Sequence, residues 1–338
     1  MQFNGVSRRS VVVGGLSSFL LAGGLAAVRP AFAQDTDDDA DASPVALAAT
    51  PSADASEFTI VHAQGETTVA ANPEKVVVFD LGIADTLATL GITVTGIPQG
   101  GQLVGFMEQF ASDDYENVGT LFEPDYEMVA SIDPDLIIVA NRSAAVYPEL
   151  AKIGPTIDLT GQTGDVIGDL NVTVGIIATI FGKEAEAEAA LTAIDERIAE
   201  LKANVDTTQT ALIIMTSGGS VTAIAPGGNR GGLIYNTLGM KTPVEDIEAA
   251  THGEAISFEF LLEHNADWLF VIDRDAAIGT EDAQAAEEVL DNDIVRETTA
   301  WQNNQIIYLQ SYDWYVLGSG LTTVNAMIDQ LAPLAGMA

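Results

Sequence analysis

The chain contains no cysteine and few basic residues. Of its 338 residues, 13 are lysine or arginine and 49 are aspartate or glutamate, which gives a formal net charge of −36 at pH 7. The lack of cysteine excludes disulfide bonds, thiolate metal sites, a cysteine nucleophile and a lipid-modified cysteine anchor. The acidic excess argues against nucleic acid and anionic membrane surfaces as partners. A salty environment, where an acidic surface maintains solubility, is the simplest explanation for most of this charge.

Sequence signatures of common enzymes are also missing. The chain has no G-x-S-x-G elbow, no H-E-x-x-H pair, no G-x-x-x-x-G-K-[ST] loop and no dinucleotide-binding fingerprint. Acidic pairs are abundant only because acidic residues are abundant, so they indicate no catalytic site. We therefore expect a binding protein rather than an enzyme, with an exported α/β hydrolase as the alternative from a different class.

The first 33 residues have the pattern of an export signal. Arg8 and Arg9 form a twin-arginine start, an uncharged stretch runs from Val11 to Val28, and Ala31–Ala33 resembles a cleavage site. A membrane anchor is the alternative, because the uncharged stretch approaches the length of a spanning helix, although its glycines and serines disfavour one. Residues 34–56, rich in Asp, Ala, Ser, Thr and Pro, are predicted to be a disordered acidic leader.

The rest of the chain alternates between strand and helix patterns. Apolar runs without alternation, such as VVVFD and LIIVAN, are typical of strands buried on both faces of a parallel sheet. They predict a doubly wound α/β lobe at residues 57–168 and a second at 206–338. Residues 169–205 carry apolar positions at helical spacing among Ala, Glu and Asp, which predicts a long helical connection. The expected fold is two α/β lobes joined by one long helix.

Two stretches share one 16-residue pattern. Glu127 to Arg142 and Glu259 to Arg274 each begin with Glu, end with Arg, and have an Asp eight positions after the Glu. In each, the Glu lies in the first turn of a predicted helix and the Arg just beyond the next strand. Both ends therefore fall at the sheet edge where open α/β sheets bind ligands. The alternative is that any two αβ units of similar length look alike.

A few further residues stand out as candidates for binding. Arg230 lies in the glycine-rich stretch PGGNRGG between a predicted strand and helix, His252 lies in THGEAISFE, and Tyr315 lies in DWYVLGSG. With Arg142 and Arg274 they suggest a site for a large anion that contains a metal. Arginine forms planar, bidentate contacts with anionic oxygens, and histidine and phenolate are iron ligands. An ordinary turn, a structural histidine and aromatic packing are the alternatives. His62 and His264 are interpreted as surface residues.

These segments carry a family resemblance. NVGTLFEPDYE, NRGGLIYNTLG, THGEAISFEFLLEHNADWLFVIDRDAAIG and the Trp-Tyr pair resemble the iron-siderophore substrate-binding proteins of bacterial ABC importers. The subgroup that they resemble is the catecholate type, with enterobactin- or petrobactin-like binders. The similarity runs from about Phe58 to the C-terminus. It implies a class III periplasmic binding protein, in which a rigid helix joins two lobes and the ligand lies between them.

The resemblance also implies roles for individual residues. Arg142, Arg230 and Arg274 match the arginines that surround the catecholate oxygens. His252 and Tyr315 match a pair that completes the iron coordination when a siderophore supplies only four donors. The implied cargo is Fe(III) within the siderophore, with no intrinsic cofactor. The absent lipidation cysteine, the acidic leader and the scarcity of lysine depart from the family pattern.

Glu127 and Glu259 match the glutamates that dock on the permease. The implied protein is a monomeric periplasmic receptor that is not lipid-anchored and binds no nucleic acid. Receptors for a hydroxamate siderophore, haem or cobalamin remain alternatives within the same class. A rigid helical connection predicts little closure of the lobes on binding.

Overall fold

The computed structural model describes residues 47–51, 56–226, 230–244, 246–247 and 253–336. The predicted export signal, most of the predicted leader and His252 lie outside these residues. Within the described ranges, every helix is too short or too polar to traverse a lipid bilayer.

A small antiparallel sheet precedes the first lobe. Its strands are β1 (Ala48–Pro51), β2 (Glu57–His62) and β3 (Gly65–Ala70). The hairpin of β2 and β3 agrees with the sequence pattern. β1 corrects the prediction that the leader lacks structure as far as residue 56. It pairs with β2, and Leu47 and Ala49 pack against the main core, so apolar contacts and strand hydrogen bonds stabilise residues 47–51.

The first lobe contains a five-stranded parallel sheet in the order β6–β5–β4–β7–β8. Its strands are β4 (Val76–Val78), β5 (Gly96–Ile97), β6 (Glu116–Asn117), β7 (Leu136–Val139) and β8 (Thr156–Asp158). Its helices are α1 (Leu81–Thr89), α2 (Tyr126–Ile132) and α3 (Tyr147–Leu150). Every residue of β4, β7 and β8 is buried, as expected for strands covered on both faces.

Two helices lead from the first lobe to the second. They are α4 (Val166–Phe181) and α5 (Glu184–Asn204). The predicted helical region, residues 169–205, therefore contains two helices rather than one. The break lies at Gly182, whose left-handed conformation, with φ of 61°, caps α4. α5 buries Ile194 and Leu201 of the predicted apolar stripe.

The second lobe has a mixed sheet in the order β11–β10–β9–β12–β13. Its strands are β9 (Ala211–Ser217), β10 (Ser220–Ala223), β11 (Glu254–Ile256), β12 (Trp268–Asp273) and β13 (Ile306–Tyr308). β9, β12 and β13 are parallel, whereas β10 and β11 run antiparallel to their neighbours. Its helices are α6 (Phe258–His264), α7 (Arg274–Ile278), α8 (Ala286–Leu290), α9 (Thr299–Gln302) and α10 (Leu321–Gln330).

The largest hydrophobic core extends through both lobes. It joins Val78 and Ile138 of the first lobe to Ile194 of α5 and to Phe270 and Trp314 of the second lobe, all of them almost fully buried. Each lobe has a further, smaller core on the other face of its sheet. The lobes are therefore held by shared apolar burial as well as by the connecting chain, and the carboxyl ends of the central strands face each other across a cleft.

Candidate functional site

Arg142 follows the carboxyl end of β7 and reaches the second lobe. It lies in a 3₁₀ turn, Asn141–Val146, which Ser143 fixes: the Ser143 hydroxyl accepts from the backbone N–H of Ala140 and donates to the carbonyl oxygen of Ala140. Its Nη1 donates to the carbonyl oxygen of Val316 at 2.7 Å, and its Nη2 donates to that of Tyr315. The side chain of Arg142 thus spans the cleft between the lobes.

Arg274 lies at the equivalent position of the second lobe, where α7 begins directly after β12. The side chain of Asp273 caps this helix by accepting from the Ala276 backbone N–H at 3.0 Å. Arg274 Nε donates to the phenol oxygen of Tyr315 at 3.0 Å, and its Nη1 donates to Ser217 Oγ at 3.2 Å. The arginines that end the two copies of the sequence repeat therefore both contact Tyr315.

Arg230 reaches the same tyrosine from a tight turn in the second lobe. A Cβ on the following Gly231 would lie 3.0 Å from the carbonyl oxygen of Ala225, and one on Gly232 would lie 2.7 Å from that of Gly164 in the first lobe. Both glycines are therefore needed for this close packing. Desolvation lowers the pKa of Arg230, and the charge of Arg142 lowers it further. Arg230 thus carries its charge at an electrostatic cost.

Tyr315 is the centre of the site. It lies in a π-helical turn, Tyr312–Leu317, and is 8% exposed. The guanidinium carbons of Arg142, Arg230 and Arg274 lie 5.3, 4.5 and 5.8 Å from its ring centroid. These are cation–π distances, so the ring partly compensates three converging positive charges. π-Helical turns are rare and occur often at functional sites.

A cavity of about 390 Å³ lies in the cleft beside this cluster. Its volume is within the range of small-molecule sites. Residues of both lobes line it, including Asp80, Asn141, Arg142, Thr160, Asp169, Arg230, Trp314, Tyr315 and Ser319. Arg142 and Arg230 face this space, whereas Arg274 is not part of its lining and meets the cluster through Tyr315. The arrangement presents cationic donors and aromatic surface to an anionic, partly apolar ligand.

The cavity also contains a carboxyl group that is not among the predicted site residues. Asp80 follows β4 at the same sheet edge, caps α1 by accepting from the Ile83 backbone N–H, and accepts from Asn141 Nδ2 at 3.1 Å. Desolvation raises the pKa of Asp80 despite these hydrogen bonds. The sequence does indicate Asp80 as a cleft residue, because it directly follows the apolar run VVVF and polar residues at strand ends line such clefts.

The prediction that His62 is a surface residue is wrong. His62 is fully buried, and its Nε2 lies 2.9 Å from Thr67 Oγ1. The adjacent Gln64 donates to Asp158 Oδ2 at 2.9 Å, and Asp158 accepts from Thr160, a cavity residue. The small antiparallel sheet is thereby connected to one wall of the cavity. His264 is half-buried, with its ring 4.2 Å from that of Phe260.

The remaining predicted residues lie elsewhere. Glu127 and Glu259 are exposed and occupy the first turns of α2 and α6, one on each lobe. His252 falls outside the described residues, so its place is a prediction only. Among the residues that the structure describes, no three His, Asp or Glu side chains form a group able to hold a metal ion.

Comparison with known proteins places the chain in a family. A family model described as periplasmic binding protein matches residues 76–312. The chain belongs to this family. The two-lobed α/β fold and the resemblance that the sequence carries are thereby confirmed, and the family is one of binding proteins.

Several relatives resemble the chain over most of its length. The petrobactin-binding protein YclQ of Bacillus subtilis is 38% identical over 280 residues, 81% of this chain and 87% of YclQ. Its crystal structure matches with a TM-score of 0.78 at 36% identity and covers 83% of this chain and 99% of that one.

Two further crystal structures support the fold. A TroA-like periplasmic binding protein from Xylanimonas cellulosilytica has a TM-score of 0.75 at 43% identity, covering 80% and 92% of the two chains. The periplasmic catecholate-siderophore binding protein VctP from Vibrio cholerae has a TM-score of 0.77 at 30% identity, covering 82% and 99%.

Proposed function

We propose that the protein is the solute-binding component of an ABC importer and binds a ferric catecholate siderophore in the cleft between its lobes. The observation that carries this proposal is the convergence of Arg142, Arg230 and Arg274 on Tyr315, in a chain with a net charge of −36. Relatives named for petrobactin and catecholate-siderophore binding support it.

Electrostatics explains how so acidic a protein binds an anion. A charge pair about 4 Å apart interacts by roughly 4 kcal/mol at an effective dielectric constant near 20. Charges more than about 8–10 Å away are largely screened in physiological salt. Repulsion between the surface carboxylates and an anionic ligand is therefore weaker than the attraction of the three cleft arginines. Guanidinium groups also donate well to catecholate oxygens.

Titrations with different iron chelates test this function. Trp314 lines the cavity, so its fluorescence reports binding. We expect tight binding of ferric catecholates and weak binding of ferric hydroxamates, haem and cobalamin. Arg142→Gln and Arg230→Gln should each weaken catecholate binding about 10- to 100-fold, the effect of losing a hydrogen bond to a charged group. Arg296→Gln, at a surface ion pair with Asp291, is the matched control. Preference for another chelate class would assign a different ligand.

Direct iron ligation is a separate part of the proposal. Tyr315 and His252 are proposed to complete the coordination of iron when the siderophore supplies four donors; the iron is cargo, and no resident cofactor is proposed. A ferric bis-catecholate should then show a phenolate-to-iron charge-transfer band. Tyr315→Phe should abolish the band, and His252→Ala should shift it. An unchanged spectrum and affinity in both variants would contradict direct ligation.

Delivery to a permease is proposed through Glu127 and Glu259. Their exposure, one on each lobe, fits pairing with basic residues of an inner-membrane partner. Reversing both charges to Lys should abolish siderophore uptake by cells but leave the affinity of the purified protein unchanged. Lost affinity would contradict a docking role. The matched control reverses Glu188 and Glu196, two exposed residues of α5.

The same proposal includes the cellular setting. We propose export by the twin-arginine route to the periplasm, without a lipid anchor, as a monomer without catalytic activity and without nucleic acid. Changing Arg8 and Arg9 to Lys should retain the precursor in the cytoplasm of an expressing cell, as detected by fractionation. Export by the variant at the wild-type rate would argue for another route.

A further inference from the structure

A buried carboxylate, that of Asp275, lies next to the guanidinium group of Arg274. Asp275 is 6% exposed, and its Oδ2 accepts from the backbone N–H of Gly218 at 2.6 Å. Its Oδ1 accepts from the hydroxyl of Ser217 at 3.1 Å and lies 3.8 Å from Arg274 Nη1. A buried carboxylate with several donors is held firmly in place, because each lost hydrogen bond would leave part of its charge uncompensated.

Ser217 links Asp275 to Arg274 through two hydrogen bonds. The serine hydroxyl has a single proton, which it donates to Asp275, so its oxygen is left to accept from Arg274 Nη1 at 3.2 Å. Ser217 is the last residue of β9, which pairs with β12, the strand that immediately precedes Arg274. The pairing of β9 with β12 therefore holds the backbones near both ends of this contact together, and the hydrogen bond restricts the orientation of the guanidinium plane.

That orientation directs Nε of Arg274 at the phenol oxygen of Tyr315, at 3.0 Å. Arg142 and Arg230 line the cavity, whereas Arg274 lies outside its lining. An N–H donated to a phenol oxygen compensates negative charge on that oxygen. The compensation matters when the phenol proton leaves to solvent and the oxygen binds Fe(III).

We propose that Ser217 and Asp275 are positioning residues, which hold Arg274 against Tyr315 and so favour ferric siderophores that leave iron coordination positions open. This inference rests on the proposed function and gives Arg274 a role that acts through Tyr315. A hexadentate tris-catecholate saturates the iron and needs no phenol ligand, so its binding is indifferent to the Asp275–Ser217–Arg274 chain.

The test compares the two classes of complex in one assay. Ser217→Ala should weaken binding of a ferric tetradentate bis-catecholate about tenfold, as expected for loss of a hydrogen bond to a charged group. Binding of the ferric tris-catecholate should change less than twofold. The phenolate-to-iron charge-transfer band of the bis-catecholate complex should shift or lose intensity. Ser217→Thr keeps the hydroxyl and should restore both, whereas Ser131→Ala, at an exposed serine of α2, should behave as wild type.

Asp275→Asn provides a second variant. It should weaken binding of the ferric bis-catecholate and leave binding of the ferric tris-catecholate nearly unchanged. If Ser217→Ala weakens both complexes equally, or leaves the affinity ratio and the band unchanged, the positioning role is overturned while the receptor function stands. If the wild-type protein binds neither ferric complex, the proposed function fails and the positioning role fails with it.

Discussion

Three partly buried guanidinium groups around one phenol ring place like charges close together. The site compensates them in part: Arg142 donates to two backbone carbonyls of the second lobe, Arg274 donates to Ser217, and all three face the ring of Tyr315. Desolvation lowers the pKa of Arg230, and the charges of Arg142 and Arg274 lower it further. An anionic ligand therefore gains both from its own contacts and from relief of this repulsion.

Arg230 should accordingly favour binding at the expense of stability. Because its folded-state pKa is lowered, its protonated form is less favourable in the folded protein than in the unfolded chain. Arg230→Gln should leave the free energy of unfolding unchanged or raise it by about 1 kcal/mol, while catecholate affinity falls. Urea denaturation checks the stability. Arg197→Gln, which removes contacts to Asn325 and Asp329, should lower it instead. Marked destabilisation by Arg230→Gln would contradict the argument.

His62 predicts a pH dependence of stability. Burial lowers its pKa from the ordinary value of 6.5, and the charge of Asp158, the smaller of the two causes, acts in the opposite direction. Below pH 6.5 the unfolded chain binds a proton that the folded protein resists. The stability associated with neutral His62 is therefore complete above pH 6.5 and is lost as the pH falls toward the folded-state pKa.

Urea unfolding between about pH 7 and about pH 5.5 tests this expectation. The free energy of unfolding should fall less in His62→Gln than in wild type over this range. His264→Gln is the matched control, because it also removes one histidine, at a position that is only half-buried. Identical profiles for wild type and His62→Gln would show that His62 does not carry the effect.

The burial of His62 was predictable in principle. β2 alternates, and Ile60 and His62, two positions apart, are both fully buried. Side chains at this spacing lie on the same face of a strand. The residue type suggested a surface position, but the strand period points inward. The hydrogen bond of its Nε2 to Thr67 depends on the hairpin register, which sets the side chains that face each other.

At the scale of single elements, the 16-residue repeat corresponds to two equivalent αβ units. In the first, Asp135 accepts from the backbone N–H groups of Glu74 and Lys75, just before β4. In the second, Asp267 accepts from the backbone N–H and hydroxyl of Thr210, just before β9. Each aspartate thereby fixes the start of the neighbouring central strand, which explains why it recurs eight positions after the glutamate.

Removing these aspartates should destabilise both lobes in the same manner. Asp135→Ala and Asp267→Ala should each lower the free energy of unfolding by about 1 to 3 kcal/mol, because two donors lose their acceptor. The larger effect is expected for Asp267, which is less exposed. Asp195→Ala, on the exposed face of α5, should change stability by less than about 0.5 kcal/mol. Urea denaturation measures the free energy of unfolding of all three variants. If Asp135→Ala and Asp267→Ala lower it no more than Asp195→Ala does, the two aspartates do not stabilise the starts of the strands.

The sequence was informative about elements because each αβ unit carries its own signals. A capping Asp125 or Ser257, an apolar run and a polar residue after the strand are all local. The break at Gly182 was harder to predict, since an isolated glycine is tolerated inside many helices. β1 was missed because a four-residue strand depends on the partner that it pairs with rather than on its own composition.

Across the two lobes, the sequence predicts which arginines approach one cleft but not which hydrogen-bond acceptors they find there. The sheet-edge rule brings Arg142 and Arg274 to facing edges. The contact of Arg142 with the carbonyl oxygens of Val316 and Tyr315 depends instead on the relative placement of two lobes distant in the chain. No local pattern encodes that placement; the shared core and the contacts between lobes determine it.

One of those contacts is a helix cap supplied by the other lobe. α10 begins after Gly320 without a side-chain cap of its own. Asp85 of α1 in the first lobe supplies it: this fully buried carboxylate accepts from the backbone N–H groups of Thr322 at 3.2 Å and Thr323 at 2.7 Å. A Cβ on Gly320 would lie 2.3 Å from Asp85 Oδ2, so glycine is required for the approach.

Loss of this cap should lower the free energy of unfolding and weaken the contact between α1 of the first lobe and α10 of the second. Asp85→Ala should reduce the free energy of unfolding by about 2 to 4 kcal/mol, because two helix N–H groups and the Thr323 hydroxyl lose a charged acceptor. Amide hydrogen exchange should accelerate in the first turn of α10 and in the facing part of α1, since both elements depend on the same contact.

The matched control is Asp329→Ala at the other end of α10, where the carboxylate is 71% exposed and pairs with Arg197. An exposed pair of this kind contributes less than about 1 kcal/mol, and its loss should leave exchange in the first turn unchanged. Equal losses of stability in the two variants, with no faster exchange in Asp85→Ala, would show that the shared core alone holds the lobes together. The cleft geometry would then be independent of Asp85, and ligand affinity in Asp85→Ala would match wild type.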